Sequence, residues 1–139
     1  EQHLTCHADL PPRLEYDCDP DKMARVLDNL LRNACHYSTP GTQVDITAKK
    51  EEDGIVLTFH NFGHTIPPEK LDRLFEQFFR LDESRASRTG GAGLGLAIAR
   101  QIVELHGGTI QAESADNQIL FTLRLPLPQE NRKISAEKP

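Results

Sequence analysis

Positive charge is in short supply in this chain. Its 139 residues carry 16 Lys and Arg against 21 Asp and Glu, a formal net charge of −5. A nucleic-acid surface needs clustered basic residues that displace counterions from phosphates, so nucleic acid is excluded as a partner. Cysteine is also sparse. Cys6, Cys18 and Cys35 are odd in number and show no C-x-x-C spacing. That argues against a disulfide framework or zinc site, and for buried free thiols in a reducing compartment. No apolar run approaches the roughly 20 residues of a membrane-spanning helix, and no signal peptide is present. There is no initiator Met, so the chain reads as a piece of a longer protein. What remains, 37% hydrophobic and 27% charged residues, suits one soluble globular domain.

The most informative stretch is Thr89-Gly90-Gly91-Ala92-Gly93-Leu94-Gly95-Leu96-Ala97-Ile98-Ala99-Arg100, a glycine-rich loop feeding an amphipathic helix. Glycines let backbone approach a ligand closely, and the unpaired N–H groups and positive dipole end of a helix attract anions. Glycines alone also make tight turns. The helical spacing of Leu94, Ala97, Ile98, Ile102 and Leu105, stopped by Gly107-Gly108, favours a phosphate site pinned to a rigid element. Gly95 is followed by Leu96, which excludes the Gly-Lys-Ser/Thr P-loop. No strand precedes the glycines, which excludes the dinucleotide fingerprint.

The rest of the chain reads as one α/β unit with a tail. A strand is expected over residues 3–8. A helix starts after Asp19, capped by its side chain with Pro20 in the first turn, and ends by Pro40-Gly41. Met23, Val26, Leu27, Leu30, Leu31 and Ala34 form its buried stripe. Two alternating strands, marked by Val44-Ile46-Ala48 and Ile55-Leu57-Phe59, flank the turn at 51–54. A helix from Pro68 to about Phe79 follows, then a polar, lid-like segment over 80–92. After the glycine-loop helix comes a hairpin, about 108–114 and 118–125. This order predicts helices packed on one face of a mixed, mostly antiparallel sheet. The domain spans 1–127, and 128–139 read as a disordered tail.

Three further segments align with the glycine loop. Asn29, Asn33 and Tyr37 are spaced by four on the first helix, with His36 among them, so they share a sector beside the apolar stripe. A carboxamide oxygen suits Mg²⁺ shared with substrate phosphates, and a Tyr ring can cover a base. Both Asn could equally satisfy neighbouring backbone groups. Asn61-Phe62-Gly63-His64-Thr65-Ile66-Pro67 begins where a strand ends, pointing Asn61 inward. Phe75-Glu76-Gln77-Phe78-Phe79-Arg80 supplies aromatics and an Arg at the edge of the 80–92 segment, where Phe side chains also serve as core anchors.

In this order the segments resemble the catalytic ATP-binding domain of sensor histidine kinases, a branch of the GHKL family with the Bergerat fold. The resemblance covers about residues 3–127: Leu27 to Ala34 is similar to the N box, Asn61 to Pro67 to the G1 box, Phe75 to Arg80 to the F box, and Gly91 to Leu96 to the G2 box. The wording from Phe75 through Leu96 is most similar to vancomycin-resistance sensor kinases. The fold implied is an α/β (α+β) two-layer sandwich with three main helices on one face of the sheet.

The resemblance also implies roles. Asn33 and Asn29 would hold Mg²⁺ on the ATP phosphates, Tyr37 would pack on adenine, and Asn61 would accept its amino group. Gly63, Ile66, Phe75, Gly91, Gly93, Leu94, Gly95 and Leu96 would frame the pocket, and Arg80 would reach the phosphates, assisted by Arg85 or Arg88. Two departures stand out. Asn61 replaces the usual Asp, keeping a carbonyl acceptor without the charge, so adenine recognition weakens or depends on a fixed amide orientation. His36 replaces a Lys and contacts phosphate poorly when neutral. Related ATPases carry a Glu one turn before the metal-binding Asn, and Asn29 stands there instead. It cannot act as a general base, which favours kinase over hydrolase. None of the six His residues resembles a phosphoacceptor. The expected partners are therefore a dimerisation domain carrying the acceptor His, and a response regulator. The domain itself is expected to be monomeric and cytoplasmic, the parent a membrane-anchored homodimer. A nucleotide-binding regulatory module without catalysis is the alternative.

Overall fold

The computed structural model describes residues 4–77, 79 and 95–127. Apolar side chains alternate along β3 (Gly54–Phe62) and β5 (Gln118–Pro126), and their antiparallel register sets Ile55 opposite Leu125, Leu57 opposite Leu123, Phe59 opposite Phe121 and Asn61 opposite Ile119. Directly opposed residues share a face, so these strands supply one continuous apolar surface. β1 (Thr5–Asp9), β2 (Gln43–Glu51) and β4 (Thr109–Ala115) complete a five-stranded sheet of order β1-β2-β3-β5-β4. Among the described strands only β1 runs parallel to its neighbour.

Two long helices cover the apolar face. α1 (Pro20–His36) buries Met23, Val26, Leu30 and Ala34, a stripe at three- and four-residue spacing in which each large side chain is worth about 2 kcal/mol of apolar burial. Its start follows the sequence expectation: the Asp19 carboxylate accepts the Lys22 backbone N–H at 3.1 Å, and Pro20 occupies the first turn. α3 (Gly95–Leu105) buries Ala97, Ala99, Ile102 and Val103. Gly107, at φ 79°, ends it. The N–H groups of Gly107 and Gly108 bond the Glu104 and Val103 carbonyls at 2.9 Å each, a Schellman closure. The helices are tied end to end, because the Asp19 N–H donates to His106 Nε2 at 3.3 Å while His106 Nδ1 pairs with the Ile102 carbonyl at 2.8 Å.

The opposite sheet face is polar. His60 contacts Asp45 at 3.4 Å and Gln118 at 2.8 Å, and the Thr47 and Thr58 hydroxyls pair across the strands.

The structure corrects four expectations. The first strand is shifted to Thr5–Asp9. α1 stops at His36, capped by Tyr37, and Gly41 at φ 84° belongs to the following turn. The helix expected from Pro68 to Phe79 is α2 (Pro68–Leu71) alone. Beyond it Arg73, Leu74, Glu76 and Phe79 donate N–H bonds three residues back, a tighter winding that aligns residues three apart, such as Leu71 and Leu74. The thiols are free but not buried: Cys6 is exposed on the edge strand β1, and Cys18 and Cys35 are half-buried. The 80–92 segment and the 128–139 tail lie outside the described residues.

Candidate nucleotide-binding site

α1 is the spine of the site. Asn29, Asn33 and Tyr37 fall on one face, and a rise of 1.5 Å per residue separates the first and last by about 12 Å along the axis. The two ends of that face meet different neighbours.

At the Tyr37 end lie Asn61 and Gly63. The alternation of β3 puts Asn61 on the sheet face covered by the helices, where it is 1% exposed. Its Nδ2 is a buried side-chain donor with no hydrogen-bond partner. Burying an amide without a partner costs about 1–3 kcal/mol, so such a group calls for a ligand. Gly63 is also buried. A Cβ there would stand 2.2 Å from the Tyr37 carbonyl oxygen and 3.2 Å from Asn61 Nδ2. Only glycine lets the end of α1 and the end of β3 approach this closely. The Tyr37 ring is packed against the core and meets the His36 ring edge-on, with centroids 4.5 Å apart.

At the other end, Asn29 Nδ2 donates to the Gly95 carbonyl at 3.0 Å. This joins the middle of α1 to Gly95, the first residue of α3. The same bond fixes the amide of Asn29 and leaves its Oδ1 as a hard oxygen donor, which fits a magnesium site. Asn33, one turn further along, is half-buried. Among the described residues no cluster of three or more His, Cys, Asp or Glu could hold a metal.

Three of the remaining expected residues are described. Ile66 is buried in the core, and Leu96 packs partly against it. Phe75 packs edge-on against Phe121 at 6.1 Å between centroids, beneath the Arg100 guanidinium at 5.8 Å. Arg80, Arg85, Gly91, Gly93 and Leu94 lie outside the described residues.

Sequence reading missed the brace behind Asn61. The loop after Gly63 is stitched to the β4–β5 turn: the Gly63 N–H donates to the Asn117 carbonyl at 3.0 Å, the Asn117 N–H to Thr65 Oγ1 at 2.8 Å, and the Ile66 N–H to Ser114 Oγ at 2.9 Å. Asp116 and Asn117 take φ 53° and 58°, a type I′ hairpin. The turn chemistry is visible in the sequence. Its pairing with a loop some fifty residues away is not.

Among the described residues the Cys35 thiol is shifted. Burial pushes the Cys35 thiol above its ordinary range, and the neighbouring Cys6 adds a smaller push.

Residues 18–129 match the model of the family described as histidine kinase-, DNA gyrase B-, and HSP90-like ATPase. The chain belongs to that family. Within it the likeness is to sensor kinases. The sensor protein VanS of Enterococcus faecium is 51% identical over 116 residues, covering 84% of this chain and 30% of that protein. VanSC of Enterococcus gallinarum is 45% identical over 131 residues, covering 94% of this chain and 36% of that protein. The chain thus spans about a third of the length of these curated relatives. Among solved structures, the nucleotide-free catalytic domain of histidine kinase ThkA superposes with a TM-score of 0.81 at 27% identity, over 93% of this chain and 82% of that one. The mycobacterial sensor histidine kinase MprB gives 0.77 at 29% identity, over 89% and 82%. The family is the one the sequence motifs resembled, and the subfamily likeness holds too. This is an ATP-binding catalytic domain of the sensor histidine kinase type, with the mixed five-stranded sheet and one-sided helices of that fold.

Proposed function

We propose that this domain holds Mg-ATP along the polar face of α1 and presents its γ-phosphoryl group to a histidine on a separate dimerisation domain of the parent protein. The observation that carries the reading is the pairing of two ends on one helix. The unpartnered Asn61 amide beside Gly63 and Tyr37 suits a base, and the Asn29–Gly95 junction suits phosphates. Tyr37 covers adenine, Asn61 meets its Watson–Crick edge, and Asn33 with Asn29 supplies carboxamide oxygens to magnesium. Magnesium held by these carboxamides would neutralise phosphate charge during transfer. The chain's own residues bind and orient the nucleotide, and positioning accounts for much of the rate in phosphoryl transfer. Arg80 and Arg85 extend the phosphate contacts. The phosphorylated histidine then serves a response regulator, and the parent is a membrane-anchored homodimer. Among the described residues no helix is long and apolar enough to cross a membrane, which leaves anchoring to other parts of the parent.

Calorimetric titration with ATP, with and without Mg²⁺, tests the site. Binding that Mg²⁺ strengthens, and that Asn33→Ala makes insensitive to Mg²⁺, is the expected result. With labelled ATP and the parent's dimerisation domain added, label should appear as acid-labile, base-stable phosphate. Acid-stable phosphate on Ser or Thr would overturn the transfer to histidine.

A further inference from the structure

We infer that Asn61 makes this site tolerant of the purine 6-substituent, so that it accepts 6-oxo purine nucleoside triphosphates beside 6-amino ones. The inference rests on the nucleotide reading above and concerns which base that site takes. The side chain is 1% exposed, and its Nδ2 has no partner. It lies against the bare Cα of Gly63, where an added Cβ would be 3.2 Å away. A carboxylate in this place could only accept hydrogen bonds, whereas a carboxamide offers one acceptor and one donor side by side. A 6-amino purine presents a donor at N6 next to an acceptor at N1. A 6-oxo purine presents the reverse, an acceptor at O6 next to a donor N–H at N1. A half-turn of the amide about χ2 exchanges its oxygen and nitrogen within the same space. The same side chain therefore satisfies either edge, provided nothing in the protein fixes the amide. The contrast with Asn29 is direct: there the Gly95 carbonyl engages Nδ2 and holds the orientation, while at Asn61 no acceptor does so. The base decides which way the amide points.

Inosine triphosphate is the cleanest probe, because it differs from ATP only at this edge. Titration calorimetry of the 139-residue chain with ATP and with inosine triphosphate, both in Mg²⁺, should give dissociation constants within about tenfold of each other. Asn61→Asp should widen the preference for ATP to about 100-fold or more, because O6 would then face a carboxylate with no donor. A wild-type preference for ATP already beyond about 100-fold would overturn the inference while leaving the nucleotide site standing. So would an Asn61→Asp ratio equal to the wild-type one. Binding of neither nucleotide would overturn the nucleotide reading itself. If Asn61→Asp fails to fold, the side-chain amide resonances of Asn61 in ¹⁵N-labelled wild-type protein decide: both nucleotides should shift them, and a shift with ATP alone would sink the idea.

Discussion

The carbonyl oxygen of Tyr37 fills the space that a side chain at Gly63 would need, 2.2 Å from the position of its Cβ. Tyr37 caps α1 and Gly63 follows β3, so this contact is where the helix layer and the sheet close on each other at the base end of the site. The Thr39 N–H, donating to the Phe62 carbonyl at 2.8 Å, holds the same junction from the other side.

Gly63→Ala should therefore do double damage. Relieving the clash moves backbone rather than a flexible side-chain tip, at a cost of about 1–3 kcal/mol. Because Asn61 is two residues away, ATP binding should weaken as well. Gly41→Ala is the control: it stands at φ 84° with nothing within 4 Å of an added Cβ, so it should cost about 1 kcal/mol through backbone strain alone. Urea denaturation and ATP titration of both variants check this. Equal ATP affinity for Gly63→Ala and wild type would show that the junction does not shape the site.

Asn29 and Asn33 should separate structure from metal dependence. Asn29→Ala loses the 3.0 Å bond to the Gly95 carbonyl, and should lower stability by about 1 kcal/mol while weakening the Mg²⁺ enhancement of ATP binding. Asn33→Ala keeps that bond. Its stability should stay within about 0.5 kcal/mol of wild type while the enhancement is lost. Thermal melts paired with titrations in Mg²⁺ and in chelator measure both, and an enhancement that survives in both variants would remove the carboxamides from the metal site.

Thr65 ties the loop after Asn61 to the β4–β5 turn through Asn117. Thr65→Val removes the hydroxyl that accepts the Asn117 N–H at 2.8 Å, with an expected loss of about 1 kcal/mol and a higher dissociation constant for ATP. Thr65→Ser should restore both, since it returns the oxygen. Failure of Ser to rescue would point to the methyl group rather than the brace.

The Cys35 thiol ties stability to pH. Burial, followed by the smaller effect of Cys6, raises its folded-state pKa, so the folded chain retains a proton that the unfolded chain releases. Stability from this group is complete below the unfolded thiol's pKa and falls as pH rises through the folded value. Unfolding midpoints in urea between about pH 7 and pH 10 should therefore decline more steeply for wild type than for Cys35→Ala. In alkylation, Cys6, exposed on the edge strand, should react before Cys35. A wild-type pH slope no steeper than that of Cys35→Ala would refute the linkage.

By itself the sequence determined the elements whose causes are local. The Asp19 cap with Pro20, the apolar stripe of α1, the alternation of β2 and β3, and the Gly107-Gly108 stop are each written within a few residues, because capping, periodicity and positive φ act over a single turn or strand. The motif order was likewise enough to reach the family. It carried less far between Pro68 and Phe79, where helical spacing of apolar residues was legible but the tighter three-residue winding was not. Only the tertiary structure decided what each local feature meets. That Gly63 must be glycine is owed to the Tyr37 carbonyl, that Asn29 is fixed is owed to Gly95, and that Asn61 carries a buried donor without a partner emerges only from the packing of β3. Contacts of that kind join residues dozens of positions apart, and no short-range periodicity encodes them.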